Sequence, residues 1–247
     1  MTSWPAGYGL KQLDTIDSTN EEARRLAQAG ERGPLWITAG EQTAGRGRRG
    51  RSWISPRGNL SATLLIDPGK PAAECAQLSF VAALAASDAV SALAPGSSIK
   101  VKWPNDVLAE GRKIAGILLE SASSGGAAPG WLVIGIGINL AAHPPDTEFP
   151  ATSLPALGVA APLPEDGLLQ LAAAFAKWYE VWRAEGFAPI RDAWLARAAG
   201  LGTRIRARLQ NGELTGVFEG IDMSGALLLR ETQDRVRAIA AGEVFFG

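Results

Sequence analysis

Apolar positions recur along this chain with two periods, and the switches between them mark its elements. Asp17-Ser18-Thr19-Asn20-Glu21-Glu22 opens a helix running to about Gly30, with Ser18 and Glu21 spaced as a capping box and Gly30 as a stop. Leu35–Ala39 and Asn59–Ile66 are short strands. From about Pro71 to Leu93, Leu78, Val81, Ala85 and Ala89 fall at helical spacing and predict one long helix. Ile99–Trp103 alternates strictly, giving a strand with one apolar face that Pro104 ends. Val107-Leu108 and Ile114–Glu120 flank Glu110-Gly111-Arg112 as the arms of a β-hairpin. Gly125, Gly126 and Pro129 form a loop of small residues before Trp131–Ile138. That run is nearly all apolar, as in a strand buried on both faces; it sits inside a sheet or pairs across a dimer.

Beyond an irregular, proline-rich connection from Pro144 to Pro164, a strongly amphipathic helix spans about Glu165 to Glu185. Its stripe of Leu168, Leu171, Ala172, Phe175, Tyr179 and Trp182 reads as core. Pro189–Ala199 is a second helix packing Ile190, Ala193 and Trp194. At Gly200-Leu201-Gly202 the period becomes that of short strands. Ile205, Ala207 and Leu209 alternate, Asn211-Gly212 makes a tight hairpin, and Asp222–Gly225 and Gln233-Asp234 mark two further turns. The pattern is an α/β catalytic region followed by a small β-barrel-like module.

The chain has 247 residues, 47% of them hydrophobic and 20% charged, enough to bury a substantial core. Its formal net charge of −1 supplies no global field for holding nucleic acid or an anionic membrane, so any basic site must be local. A single cysteine, Cys75, excludes an intrachain disulfide framework and a cysteine-rich metal site. The single histidine, His143, lies beside two prolines and reads as a loop residue. Met1 to Leu10 has no secretory pattern, and no window of about 18 residues is free of charge and turn formers. No membrane span is expected, and the expected compartment is the cytoplasm.

Two segments carry chemistry. In Gly45-Arg46-Gly47-Arg48-Arg49-Gly50-Arg51, glycines let the backbone approach a ligand and arginines offer planar donors to phosphate or carboxylate. Trp53 follows and could stack on a planar base. The loop reads as a lid over a nucleotide or as an exposed RNA-binding loop; the neutral remainder of the chain favours a small anionic ligand. The second segment is Lys100–Asp106 followed by Gly111–Glu120. Asn105 and Asp106 stand at a strand end, where a carboxylate suits Mg²⁺ shared with phosphates. Lys113 opens the second hairpin arm and can point back over the same place, to neutralise an attacking carboxylate. A charged, solvated hairpin is the competing reading.

Ser18-Thr19-Asn20, Gln42 to Trp53, Lys102 to Asp106, Gly111 to Glu120 and Gly135-Ile136-Gly137-Ile138-Asn139 stand in the order seen in biotin–protein ligases, which the chain resembles throughout. Gly220-Ile221-Asp222 and Gly225-Ala226-Leu227-Leu228 extend the resemblance into the C-terminal module. It implies an α+β fold: a mixed sheet with packed helices, like the class II synthetases, over residues 1–199, then an SH3-like β-barrel over residues 200–247. It also implies a reaction. Biotin's carboxylate attacks the α-phosphate of ATP, and the resulting biotinyl-5′-AMP acylates a lysine of a biotin carboxyl carrier domain.

By the same resemblance, Ser18, Thr19, Asn20, Gln42, Gly45, Arg46, Gly47, Arg48, Lys113 and Gly116 bind biotin. Arg48, Arg49, Arg51, Trp53, Asn105, Lys113 and Asn139 contact the nucleotide. Lys113, Arg48 and Asp106 are catalytic, with Asp106 supporting Mg²⁺. The expected assembly is a monomer or homodimer that binds neither nucleic acid nor membrane. Too few residues precede Leu13 for a helix-turn-helix, so the repressor role of larger relatives is not carried over. A lipoate–protein ligase, a non-catalytic biotin or nucleotide sensor and an RNA-binding protein are the alternatives. The motifs disfavour the first, and the presence of Lys113 and the arginine loop disfavours the second.

Overall fold

A computed structural model describes residues 2–123, 129–231 and 235–246. The turn expected at Gln233-Asp234 and the glycines Gly125 and Gly126 lie outside them. Seven strands form one sheet: β1 (Gly9–Ile16), β2 (Leu35–Gln42), β3 (Leu60–Ile66), β4 (Ile99–Lys102), β5 (Asp106–Ala109), β6 (Arg112–Ser123) and β7 (Pro129–Ile138). Their order is β1-β2-β3-β7-β6-β5-β4, with β1 and β2 parallel and all other pairs antiparallel. The fold is α+β. The apolar run of β7 is explained by its place between β3 and β6; it is not an edge available to a partner strand.

Strand parity sends alternate side chains to opposite faces. On one face Ile37, Leu65, Trp131 and Val133 meet Ala23 and Ala27 of α1 (Thr19–Gln28). On the other, Trp36, Leu64, Leu132 and Ile134 join the main core beneath α3 (Leu78–Leu93) and α4 (Pro164–Glu185). Helix α1 is only 10 residues long, so at about 1.5 Å per residue it covers only part of its face. Beyond it, β6 and β7 present Gly116, Leu118, Gly135 and Gly137 on that face. Three of these four are glycines, so the sheet there is mostly bare backbone.

Several elements differ from the sequence reading. The expected single helix from Pro71 to Leu93 is two: α2 (Ala72–Cys75) and α3, separated at Ala76-Gln77. Backbone bonds tighten there to a three-residue spacing, Gln77 to Glu74 and Phe80 to Gln77. The Gln77 side chain accepts from Trp182 Nε1 at 2.9 Å. By length and composition alone Ala72–Leu93 is apolar enough to cross a membrane, although it carries Asp88. In the structure it is largely buried as core. Ser18 caps α1 by position, but its side chain makes no capping bond, so the expected capping box does not form. Helix α5 (Phe187–Leu195) begins two residues before Pro189 and stops before Ala199. Residues 197–199 leave it to pair with the free edge of β4, through Val101 N–H to Arg197 O and Ala199 N–H to Val101 O.

The C-terminal strands β8 (Arg204–Leu209), β9 (Gly212–Ile221), β10 (Leu227–Arg230), β11 (Val236–Ile239) and β12 (Glu243–Phe246) form a second, antiparallel sheet in the order β11-β10-β9-β8-β12. Its core is continuous with the first. Trp194 stacks edge-on against Phe80 and Phe218, Trp103 Nε1 donates to Gly225 O at 3.0 Å, and Arg191 Nε donates to Ile221 O at 2.6 Å.

Candidate active site

The bare patch of the sheet is the floor of a cavity of about 340 Å³. A Cβ on Gly135 would collide with the Asn20 carboxamide, and one on Gly137 with the Trp53 indole. On Gly116 it would crowd Trp53 Cζ3 at 3.1 Å and Lys113 Nζ at 3.2 Å. Gly116 and Gly137 are paired across the two strands, so the absence of both side chains makes one continuous recess.

One end of the cavity is polar and neutral. Gln42, at the end of β2, takes over the capping that Ser18 does not perform: its Oε1 accepts from Thr19 N–H at 2.9 Å and Thr19 Oγ1 at 3.0 Å. Gln42 Nε2 donates to Ser55 Oγ at 2.9 Å. Asn20 Nδ2 donates to Glu120 Oε2 at 2.7 Å, while its Oδ1 accepts from Thr63 Oγ1 at 2.7 Å. Ser18, Thr19 and Asn20 are buried and held in fixed orientations.

The other end is charged. Asp106, 8% exposed, faces Lys113 Nζ at 2.6 Å from Oδ1 and Lys102 Nζ at 3.5 Å from Oδ2. Burial opposes ionisation of Asp106, but the two ammonium charges outweigh it and hold the carboxyl below the ordinary carboxylate range. Lys102, 5% exposed, lies 4.0 Å from the centroid of the Phe149 ring, and burial pushes its ammonium below the ordinary lysine value despite Asp106. The two ammonium groups thus face one oxygen of Asp106 each. The backbone of Lys113 is fixed on both sides, its N–H to Pro150 O at 2.7 Å and its carbonyl from Thr152 N–H at 2.8 Å. Asn139 Nδ2 donates to Thr152 O at 3.0 Å and holds the same segment.

The arginine loop forms the roof. Gly47 N–H donates to Arg51 O at 2.7 Å and Trp53 N–H to Gly45 O at 2.9 Å, folding the loop on itself. Arg48 reaches inward, its Nη1 3.3 Å from Asn105 Oδ1, where burial depresses its guanidinium pKa. Arg51 pairs with Glu243 on β12; Glu243 also pairs with Arg208, which grips Glu148 through two bonds of 2.6 and 2.7 Å. This chain of charges ties the loop, the proline-rich segment and the C-terminal sheet together beside the cavity.

Sequence comparison gives the same picture from a different direction. Residues 13–139 match the biotin/lipoate A/B protein ligase family, and residues 200–247 match the biotin protein ligase C-terminal domain. The chain is 50% identical to a biotin–[acetyl-CoA-carboxylase] ligase of Paracoccus denitrificans over 95% of its own length and 99% of the relative's. The chain belongs to the biotin protein ligase family. It is 36% identical to a bifunctional ligase/repressor of Bacillus subtilis, of which it covers 75%. Its structure is similar to that of a biotin protein ligase from Aquifex aeolicus in complex with biotin and ATP, with a TM-score of 0.81 and 28% identity over 96% of this chain and 97% of that one.

Most of the residues singled out in this ligase's sequence line the one cavity: Ser18, Thr19, Asn20 and Gln42 at the neutral end, Arg46, Gly47, Arg48, Arg51 and Trp53 above, and Asn105, Asp106, Lys113, Gly116 and Asn139 at the charged end. Two do not. Gly45 is buried against the Trp53 carbonyl, and Arg49 takes a left-handed backbone (φ 56°) that leaves it exposed to solvent. Asp106 by itself would give Mg²⁺ few protein ligands, so any ion here would be held mainly by substrate phosphates. A dication on either carboxylate oxygen would sit in ion contact with an ammonium, and the described residues hold no cluster of three metal-ligating side chains.

Lys102, Phe149 and, from the second sheet, Glu243 and Phe245 also line the cavity and were missed. The strict alternation of Ile99–Trp103 placed Lys102 on a polar face. Its sequence signals are its place in the Lys102 to Asp106 motif and Asp106 four residues on, across the strand-ending Pro104.

Proposed function

We propose that this family member makes biotinyl-5′-AMP from biotin and ATP and transfers the biotinyl group to a lysine of a biotin carboxyl carrier domain. The supporting observation is the polarity of one cavity: a neutral hydrogen-bonding end, a glycine floor, and a charged end where two lysines share one buried aspartate. The neutral end suits a ureido ring, which presents both donors and acceptors and no charge. The floor suits a flat bicyclic body.

At the charged end two anions must meet, a carboxylate and a triphosphate. Lys113 neutralises the attacking carboxylate and stabilises charge at the reacting phosphorus. Asp106 keeps both ammonium groups aimed at the cavity without releasing a proton itself. Arg48 covers the reacting atoms and excludes water, which protects the mixed anhydride from hydrolysis. Arg51, Trp53, Asn105 and Asn139 bound the nucleotide side, as does Lys102. Mg²⁺ enters with the ATP phosphates as part of the substrate. Residues 1–199 carry the chemistry, and residues 200–247 close its flank through Glu243 and Phe245.

The test is incubation with Mg²⁺, ATP and either biotin or lipoate, followed by mass spectrometry of nucleotides and of an added carrier domain. Biotin-dependent AMP and a biotinylated carrier lysine are expected. Lipoylation in place of biotinylation, or nucleotide binding without turnover, would overturn the reading.

A further inference from the structure

A second cavity, about 210 Å³, adjoins the first at the seam between the two sheets. Its walls come from all three neighbouring parts of the fold: Ala76 and Phe80 from the helices, Trp103 and Leu119 from the large sheet, Ser224 and Ala240 from the C-terminal region. Arg48, Pro104, Asn105 and Ile117 line both cavities. The partition is therefore one side chain thick at the Arg48–Asn105 contact of 3.3 Å. The rim residues Ala76, Ser224 and Ala240 are exposed, whereas Phe80 and Trp103 are buried.

We infer that this second cavity is the way in for the side chain of the acceptor lysine, an inference that rests on the ligase reading above. During transfer the first cavity is filled by the acyl-adenylate, and the charge chain from Arg51 through Glu243 and Arg208 to Glu148 straps its other flank. The amine needs a separate approach to the acyl carbon. A lysine is an apolar stem with a polar tip, and the cavity matches that order, with aromatic and aliphatic walls leading to Asn105 and Arg48. Among the described residues no carboxylate lines it, so an ammonium finds no counter-charge there. The Arg48 guanidinium at the inner end disfavours the protonated tip, and only the neutral amine is a nucleophile. Its lone pair forms the new C–N bond and the acyl C–O bond to phosphate breaks. The bonding pair and one N–H proton leave with AMP.

Filling the mouth separates the two half-reactions. Ala76→Trp and Ala240→Trp change exposed rim positions outside the first cavity. Both variants should keep biotin-dependent ATP–pyrophosphate exchange within about twofold of wild type. Trapping of the adenylate by hydroxylamine, small enough to pass, should be equally unchanged. Biotinylation of a carrier domain should fall at least tenfold. Carrier labelling at the wild-type rate by both variants would overturn the inference, as would a matching loss of hydroxylamine trapping, which would assign the cavity to the first step. Failure of wild-type exchange with biotin would instead strike the ligase reading itself.

Discussion

Lys113 Nζ and Asp106 Oδ1 stand 2.6 Å apart, brought together by the two arms of one hairpin. Asp106 begins β5, the turn at Glu110 and Gly111 uses two left-handed residues, and Lys113 is the second residue of the return strand. Lys113→Ala should leave the fold intact and lower biotin-dependent pyrophosphate release by ~10²–10³. Release at the wild-type rate would remove Lys113 from the chemistry.

Asp106 also makes a prediction about pH. Its folded-state pKa lies below the unfolded value, so the stability it contributes is present above the unfolded pKa and is lost as pH falls through the folded one. The window lies below about pH 4. Asp106→Asn leaves two ammonium groups without their counter-charge and should destabilise the protein by about 3 kcal/mol at neutral pH. It should also flatten the acid side of the stability curve. Thermal unfolding followed from pH 7 to pH 3 for both proteins checks both effects; superimposable curves would show that the pair carries no net stability.

In the proposed reaction a loop of arginines and glycines holds the reactive intermediate, and Arg48 is the loop's inward member. Arg48→Gly should still form the adenylate, through Lys113 and Asp106, but retain it less well. Leaked adenylate acylates exposed lysines of bystander proteins. Biotinylation of serum albumin at fixed enzyme, biotin and ATP should therefore rise several-fold for the variant. No rise, with biotin-dependent AMP production maintained, would show that something else holds the intermediate.

The same arginines bear on polyanions. Arg46 pairs with Glu21, Arg51 with Glu243, and Arg48 turns inward to Asn105. With a formal net charge of −1 behind them, they leave little for a phosphate backbone. Neither heparin nor duplex DNA should retain the protein at physiological ionic strength, with or without biotin and ATP. A sequence-specific gel shift would contradict this.

The hairpin, the arginine loop and the switch to short strands near Gly200 were legible because their signals are local: turn residues, charge spacing and a change of period. What was missed depends on partners distant in sequence. β1 shows no clean alternation because its side chains are mostly exposed; its identity as a strand comes from backbone pairing with β2. The cap of α1 comes from Gln42, more than twenty residues away, so the nearby Ser18–Glu21 spacing misled. Lys102 looked solvated because alternation predicts only which face a residue is on, and here the polar face is covered by Phe149 and the second sheet. The break at Gln77 likewise answers to Trp182, a residue of another helix.

The floor of the cavity also sets a direction for its evolution. Glycine is the smallest residue, so Gly116, Gly135 and Gly137 can be exchanged only for something larger. Mutation can make this recess shallower but never deeper. Acceptance of a bulkier acid would have to come from the walls, where Trp53 and Ile54 can shrink, whereas even a methyl group on the floor would first have to displace Asn20, Trp53 or Lys113. The site thus rests at one extreme of its size range.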